Sequence, residues 1–185
     1  PMLLNLWEGC YFHFTDETVR QAADAAADLG VELLVIDDGW FGHRKDEFGG
    51  LGDWYVNENK IKSGMAALCD SVNSKGLKLG IWFEPECVNP DSDLYRAHPD
   101  WILSEPNRER SLSRTQCILD MSRDDVTDWA IAWLDDLIIN AKLDYLKWDM
   151  NRCVSEIGLY ARERGITVKP LFNSYGHNTL IPRMF

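Results

Sequence analysis

Several signatures are missing from this chain, and each absence narrows what it can do. Cysteines number five, an odd count, and no Cys-x-x-Cys pair occurs. Neither a disulfide framework nor a structural zinc site is therefore expected, and a reducing, cytoplasmic compartment is. No run of 18 apolar residues exists, so no segment is expected to span a membrane. Basic residues are scarce: 19 Lys and Arg against 30 Asp and Glu leave a formal net charge of -11. Nucleic acid and anionic membranes both need a basic face, so neither is expected as a partner. No Gly-x-Gly-x-x-Gly follows an apolar run, which removes support for a dinucleotide fold. The histidines His13, His43, His98 and His177 lack metal-ligand spacing, and no Gly-x-Ser-x-Gly presents a serine nucleophile. Neither a metal nor a cofactor is expected.

What the chain does have is apolar residues, at 45% of 185, enough for a sizeable single core. They fall into a repeated rhythm of strand, loop and helix. Met2 to Trp7 reads as a short strand ending at Glu8. Thr15 reads as an N-cap, with Asp16 and Glu17 in the first turn of an Ala-rich helix that stops at Gly30. Val31 to Ile36 is a second strand, ending at Asp37-Asp38. A glycine-rich loop follows, then a helix over about 64–74 closed by Gly76. Leu77 to Phe83 is a third strand, ending in Glu84-Pro85-Glu86. Ser122 is expected to cap a helix whose apolar stripe runs through Val126, Trp129, Ala130, Trp133, Leu134, Leu137, Ile138 and Ala141. Tyr145 to Trp148 is a fourth strand. A helix around 154–164 and a fifth strand over 166–172 complete the pattern. Such alternation predicts parallel strands with helical crossovers, as in an open doubly wound sheet or a (β/α)₈ barrel. In (β/α)₈ barrels the chemistry sits at the C-terminal ends of the strands. Glu8, Asp37, Asp38, Glu84, Glu86 and Asp149 all fall at such ends.

Lys147, Asp149 and Asn151 alternate, so an extended chain presents all three on one face. Lys147 would hold Asp149 ionised by opposite charge, as a nucleophile requires, and Asn151 could donate to a substrate hydroxyl. A structural ion pair is the plainer alternative. Asp37 and Asp38 close a buried run, where unpaired acids are costly unless they are used. Trp82 serves equally as a sugar-stacking surface or as core. Glu84 and Glu86 could bind hydroxyls, catalyse, or pair with a cation such as Arg114. Of the eight tryptophans, most are expected in the core and those beside strand-end acids in a site.

Six segments in order then resemble the catalytic barrel of glycoside hydrolase family 36, the α-galactosidases. They are Asn5-Leu6-Trp7-Glu8, Ile36-Asp37-Asp38-Gly39-Trp40-Phe41-Gly42, Leu51-Gly52-Asp53-Trp54, Gly80-Ile81-Trp82-Phe83-Glu84-Pro85-Glu86, Ser113-Arg114-Thr115-Gln116 and Lys147-Trp148-Asp149-Met150-Asn151-Arg152. The resemblance covers roughly residues 1–157 and implies the first four or five βα units of a (β/α)₈ TIM barrel, with 158–185 an unassigned tail. It implies a retaining α-galactosidase acting on melibiose and raffinose-type sugars without a cofactor. Asp149 would be the nucleophile, and the acid/base would lie beyond residue 185. Asp37, Asp38, Trp82, Arg114, Lys147 and Asn151 would bind the galactoside. Galactosyl transfer of the raffinose or stachyose synthase type is an alternative outcome on this scaffold. A non-catalytic galactose-binding remnant is another. A metal-dependent lyase or isomerase barrel is disfavoured by the Lys147-Trp148-Asp149 string. Half a barrel exposes strand edges, which favours aggregation or self-association. Separately, the parent enzyme is expected as a homo-oligomer.

Overall fold

The computed structural model describes residues 1–104, 110 and 112–152. In chain order its elements are β1 (Leu3–Asn5), α1 (Trp7–Cys10), α2 (Asp16–Asp28), β2 (Leu33–Ile36), α3 (Met65–Asn73), β3 (Lys78–Phe83), β4 (Cys87–Val88), α4 (Asp93–Ala97), β5 (Cys117–Ile118), α5 (Asp124–Asn140) and β6 (Tyr145–Trp148). The four longer strands form one parallel sheet in the order β1-β2-β3-β6. Sequential neighbours joined by helices are what the strand-loop-helix rhythm requires. The expected helix at 154–164 and strand at 166–172 lie outside the described residues.

Side chains alternate between the two faces of the sheet, and the central strands β2 and β3 are buried on both. Leu34, Ile36, Leu79, Ile81 and Phe83 join a core with Val19, Ala23 and Ala26 of α2 and Leu68, Cys69 and Val72 of α3. The opposite face carries Asn5, Val35, Gly80 and Tyr145 in one cross-strand row. Gly80 is required in that row. A Cβ there would stand 2.8 Å from Tyr145 Cδ1 and 2.8 Å from the Tyr145 carbonyl. One step further along the strands, the same face carries Trp82 opposite Lys147.

Local signals explain most boundaries. Thr15 caps α2 by accepting from Thr18 N, and Gly30, at φ +75, ends it. Other boundaries differ from the sequence reading. β1 stops at Asn5 because Asn5 Oδ1 accepts from Trp7 N and turns the chain into α1. Ser122 does not cap α5: its hydroxyl bonds Asp120, and Arg123 occupies the cap position without a side-chain bond. β4 and β5, unforeseen, pair antiparallel as Cys87↔Ile118 and Val88↔Cys117. No described helix is long and apolar enough to cross a membrane.

Candidate active site

The C-terminal ends of the four parallel strands open on a cavity of about 410 Å³. Asp37, Asp38, Trp82, Arg114, Lys147, Asp149 and Asn151, the seven residues singled out from the sequence, all line it. Asn5, Trp7, Glu8, Phe12 and Glu47 complete the wall.

Asp149 follows β6, and its backbone N–H donates to Phe83 O at 3.0 Å, extending the ladder one residue past the strand. Its Oδ2 accepts from Trp82 Nε1 at 3.0 Å and from Asn151 Nδ2 at 2.9 Å. Its Oδ1 accepts from Met150 N at 3.1 Å. Burial pushes this carboxyl up. The Trp82 and Asn151 bonds, the Lys147 charge and the Met150 N–H outweigh it, and the net result is below the ordinary carboxylate range. The sequence reading gave the leading part in this to Lys147. Lys147 contributes less than the two side-chain donors, because its own short bond, 2.7 Å, goes to Asp37 Oδ2.

Asp37 is held from several sides. Asn5 Nδ2 donates to the same Oδ2 at 2.6 Å, and Asp38 N donates to Oδ1 at 2.9 Å. The cationic partner of Asp38 is Arg44, which the sequence reading missed. Its Nε and Nη2 grip Asp38 at 2.9 and 2.7 Å, and its Nη1 reaches Gly49 O and Asn89 Oδ1. The Arg44 side chain is fully buried, where a bidentate guanidinium pair is the arrangement that satisfies both charges. Burial pushes the Asp38 carboxyl up, and Arg44 only partly offsets this. Asn89 extends the network. It also accepts from Leu51 N and donates to Thr115 O, beside Arg114. Arg114 and Thr115 both have positive φ, 53° and 59°, in a tight turn closed by Ser113 and Gln116. Thr115 Oγ1 fastens this turn to Glu47 O at 2.9 Å. Arg114 itself is exposed at the cavity wall.

Beneath the loop that follows Asp38, Lys60 Nζ donates to three carbonyls, Phe12 O, Gly39 O and Arg44 O, at 2.7–3.0 Å. Trp82 lines the cavity with only 2% of its surface exposed. It stacks on Phe41 with planes 6° apart, and its carbonyl accepts from Trp40 Nε1. Of the tryptophans beside strand-end acids, Trp7 and Trp82 line the cavity. Trp40 is core, and Trp148 faces away from the cavity, bonding Glu86. Glu84 and Glu86 do not pair with Arg114: Glu84 accepts from Asn151 N and Glu86 from Trp148 Nε1. Among the described residues, Glu84, Glu86 and Cys87 are the single group whose ligand atoms lie close enough to hold an ion, within 4.8 Å. That group is buried and does not line the cavity.

A pocket of carboxylates and fixed cations at parallel strand ends suits a polyhydroxylated ligand, and the comparisons agree. The family profile described as Melibiase matches residues 1–172, past residue 157 where the resemblance read from the sequence stops. Alpha-galactosidase AgaA of Geobacillus stearothermophilus is 51% identical over 158 residues, 85% of this chain and 22% of that protein. The bifunctional alpha-galactosidase/sucrose kinase AgaSK of Mediterraneibacter gnavus is 46% identical over 157 residues, 85% of this chain and 17% of that protein. The crystal structure of AgaA superposes with a TM-score of 0.82 at 50% identity, over 84% of this chain and 22% of AgaA. An AgaA variant crystallised in complex with raffinose gives 0.81 at 49% identity, over 84% of this chain and 22% of that one. The chain thus spans roughly a fifth of the length of these relatives. Fold, cavity and sequence likeness agree: the chain belongs to the Melibiase family, glycoside hydrolase family 36.

Proposed function

We propose that this chain carries the nucleophile side of a retaining α-galactosidase site, on the first βα units of a (β/α)₈ barrel. One observation carries the reading: the seven residues chosen from sequence line a single cavity, with Asp149 held ionised inside it. Asp149 attacks the anomeric carbon. A bond forms between its carboxylate oxygen and that carbon, and the glycosidic C–O bond breaks. The leaving oxygen takes its proton from a carboxylic acid elsewhere in the parent enzyme, which then activates water to release galactose. Oδ2 is anchored by two side-chain donors, so Oδ1, with only the Met150 N–H, is the attacking oxygen.

The other residues bind. A carboxylate has about four acceptor sites. Arg44 takes two on Asp38, and the remainder accept sugar hydroxyls. Asp37 accepts likewise. Lys147 holds Asp37 with one of its three protons and offers the others to the cavity. Arg114 and Asn151, both in the cavity wall, donate to the sugar. The substrates are terminal α-galactosides of the raffinose type, without metal or cofactor.

Release of dinitrophenol from 2,4-dinitrophenyl α-galactoside tests this, because that group departs with little acid assistance. A burst or turnover by the chain that disappears in Asp149→Asn is the expected result. Saccharide binding with no release, from folded protein, would reduce the chain to a binding unit.

A further inference from the structure

Glu84 and Glu86 lie outside the cavity, and the chemistry above gives them no part. Both are buried, at 1% and 7% exposure. Each leaves one carboxylate oxygen without a hydrogen-bond partner, Oε2 of Glu84 and Oε1 of Glu86. Buried acids with unused acceptors are a poor way to gain stability, since apolar residues of similar size serve at least as well. The oxygens they do use both hold the segment that carries Asp149. Glu86 Oε2 accepts from Trp148 Nε1 at 2.9 Å, one residue before Asp149. Glu84 Oε1 accepts from Asn151 N at 2.6 Å, two residues after it. Between these anchors, Phe83 O accepts from Asp149 N, and Trp82 Nε1 donates to Asp149 Oδ2. Pro85, with its fixed φ, stiffens the backbone between the two acids.

We propose that Glu84 and Glu86 are positioning residues that set the aim of Asp149 by clamping the chain on both sides of it. The inference rests on the galactosidase reading in taking Asp149 as the reacting group. Its physical basis is a lever. Asn151 donates from its side chain to Asp149 Oδ2, and Glu84 fixes the backbone of that same asparagine. Releasing Asn151 N removes a donor from Asp149 as well as an anchor from the chain. A reacting atom displaced by about 1 Å loses on the order of 100-fold in rate.

The test reads the Asp149 carboxyl by ¹³C NMR titration of aspartate-labelled protein, with the signal assigned through Asp149→Asn. Glu84→Gln and Glu84→Met are both uncharged, but only glutamine keeps an acceptor for Asn151 N. Asp149 is expected to titrate about one unit higher in Glu84→Met than in Glu84→Gln, tenfold in acidity. Equal values would overturn the role of Glu84. Trp148 is 58% exposed, so Trp148→Phe is tolerated by the fold. It should also raise Asp149 relative to wild type, and no change would overturn the role of Glu86. Should Glu84→Met fail to fold, amide exchange at Asn151 decides. Protection of about tenfold or more in wild type and in Glu84→Gln supports the clamp, and an unprotected Asn151 sinks it. Calorimetry with 1-deoxygalactonojirimycin on the same wild-type sample tests the galactosidase reading independently. No binding there would count against that reading while the titration still decides the clamp.

Discussion

Trp82 Nε1 donates to Asp149 Oδ2 at 3.0 Å, from the interior of one strand to the residue that follows its neighbour. The indole is buried against Phe41 and Trp54, so it cannot swing away. Trp82→Phe should keep most of the packing and lose the bond. A hydrogen bond to a charged group is worth about 1.5–3 kcal/mol. The expected result is a rise in the apparent pKa of Asp149 and a fall of about 10-fold or more in the rate of galactosyl transfer to it. A pH-rate profile on dinitrophenyl galactoside reads both. An unchanged acid limb would mean that Asn151 and Met150 hold the carboxylate unaided.

Arg44 and Asp38 form a buried bidentate pair. Arg44→Met leaves Asp38 charged, buried and without its cation, a defect that typically costs about 3–5 kcal/mol. Urea unfolding should show a loss of that order. Arg44→Met combined with Asp38→Asn should recover part of it, since the stranded charge is gone. Arg44→Lys should fall between, because an ammonium cannot grip both carboxylate oxygens. A double variant no more stable than the single one would show that the contacts to Gly49 O and Asn89 matter more than the pair.

Asn89 is fully buried and joins this pair to the Arg114 turn. Asn89→Leu, with the same branching, should leave Leu51 N and one of the two Arg44 Nη1 protons without an acceptor and free Thr115 O. Unsatisfied buried groups cost about 1–3 kcal/mol each. The turn should also loosen, because Arg114 and Thr115 sit at positive φ, a conformation that needs support from its surroundings. Limited trypsinolysis should cleave after Arg114 several-fold faster in the variant. Equal cleavage rates would mean that the Thr115 bond to Glu47 O suffices.

How much of this could be read in advance depended on whether a residue's partner was local. The four parallel strands were legible because each is an apolar run ending in an acid, and the site was legible because those ends converge. Lys147, Asp149 and Asn151 do share a face, as their spacing requires. Arg44 was missed although Asp38 is only six residues away. The need for a cation beside a buried acid pair was visible, but a glycine-rich loop gives no direction. Lys60 was missed because carbonyl acceptors leave no mark in a sequence. The Arg114 turn was missed for the opposite reason. Two positive-φ residues in a hairpin favour Asn-Gly, and Arg-Thr advertises nothing of the kind. Ser122 looked like a cap, but its hydroxyl was claimed by Asp120.

Glu84 gives the chain a pH dependence with a definite sign. Burial, and then the nearby charges of Glu86 and Asp149, raise its carboxyl to about 7, against the lowering effect of the Asn151 N–H. In the unfolded chain the same group titrates near 4.5. Between these values the folded state holds a proton that the unfolded state has released. Stability from this group is therefore full below about pH 4.5 and is lost progressively up to about pH 7, where it levels off. The span corresponds to roughly 3 kcal/mol at 1.36 kcal/mol per unit. Carboxylates with depressed values, such as Asp149 and Asp125, have the opposite slope, and it lies at lower pH. Urea unfolding from pH 5 to 8 should thus show falling stability in the wild type. Glu84→Gln, which keeps the acceptor for Asn151 N and cannot ionise, should make that fall shallower, the remainder coming from Asp38, Asp53 and Glu86, whose carboxyls burial also raises. A wild-type curve that is already flat would mean that Glu84 is ionised throughout, its charge compensated within the fold.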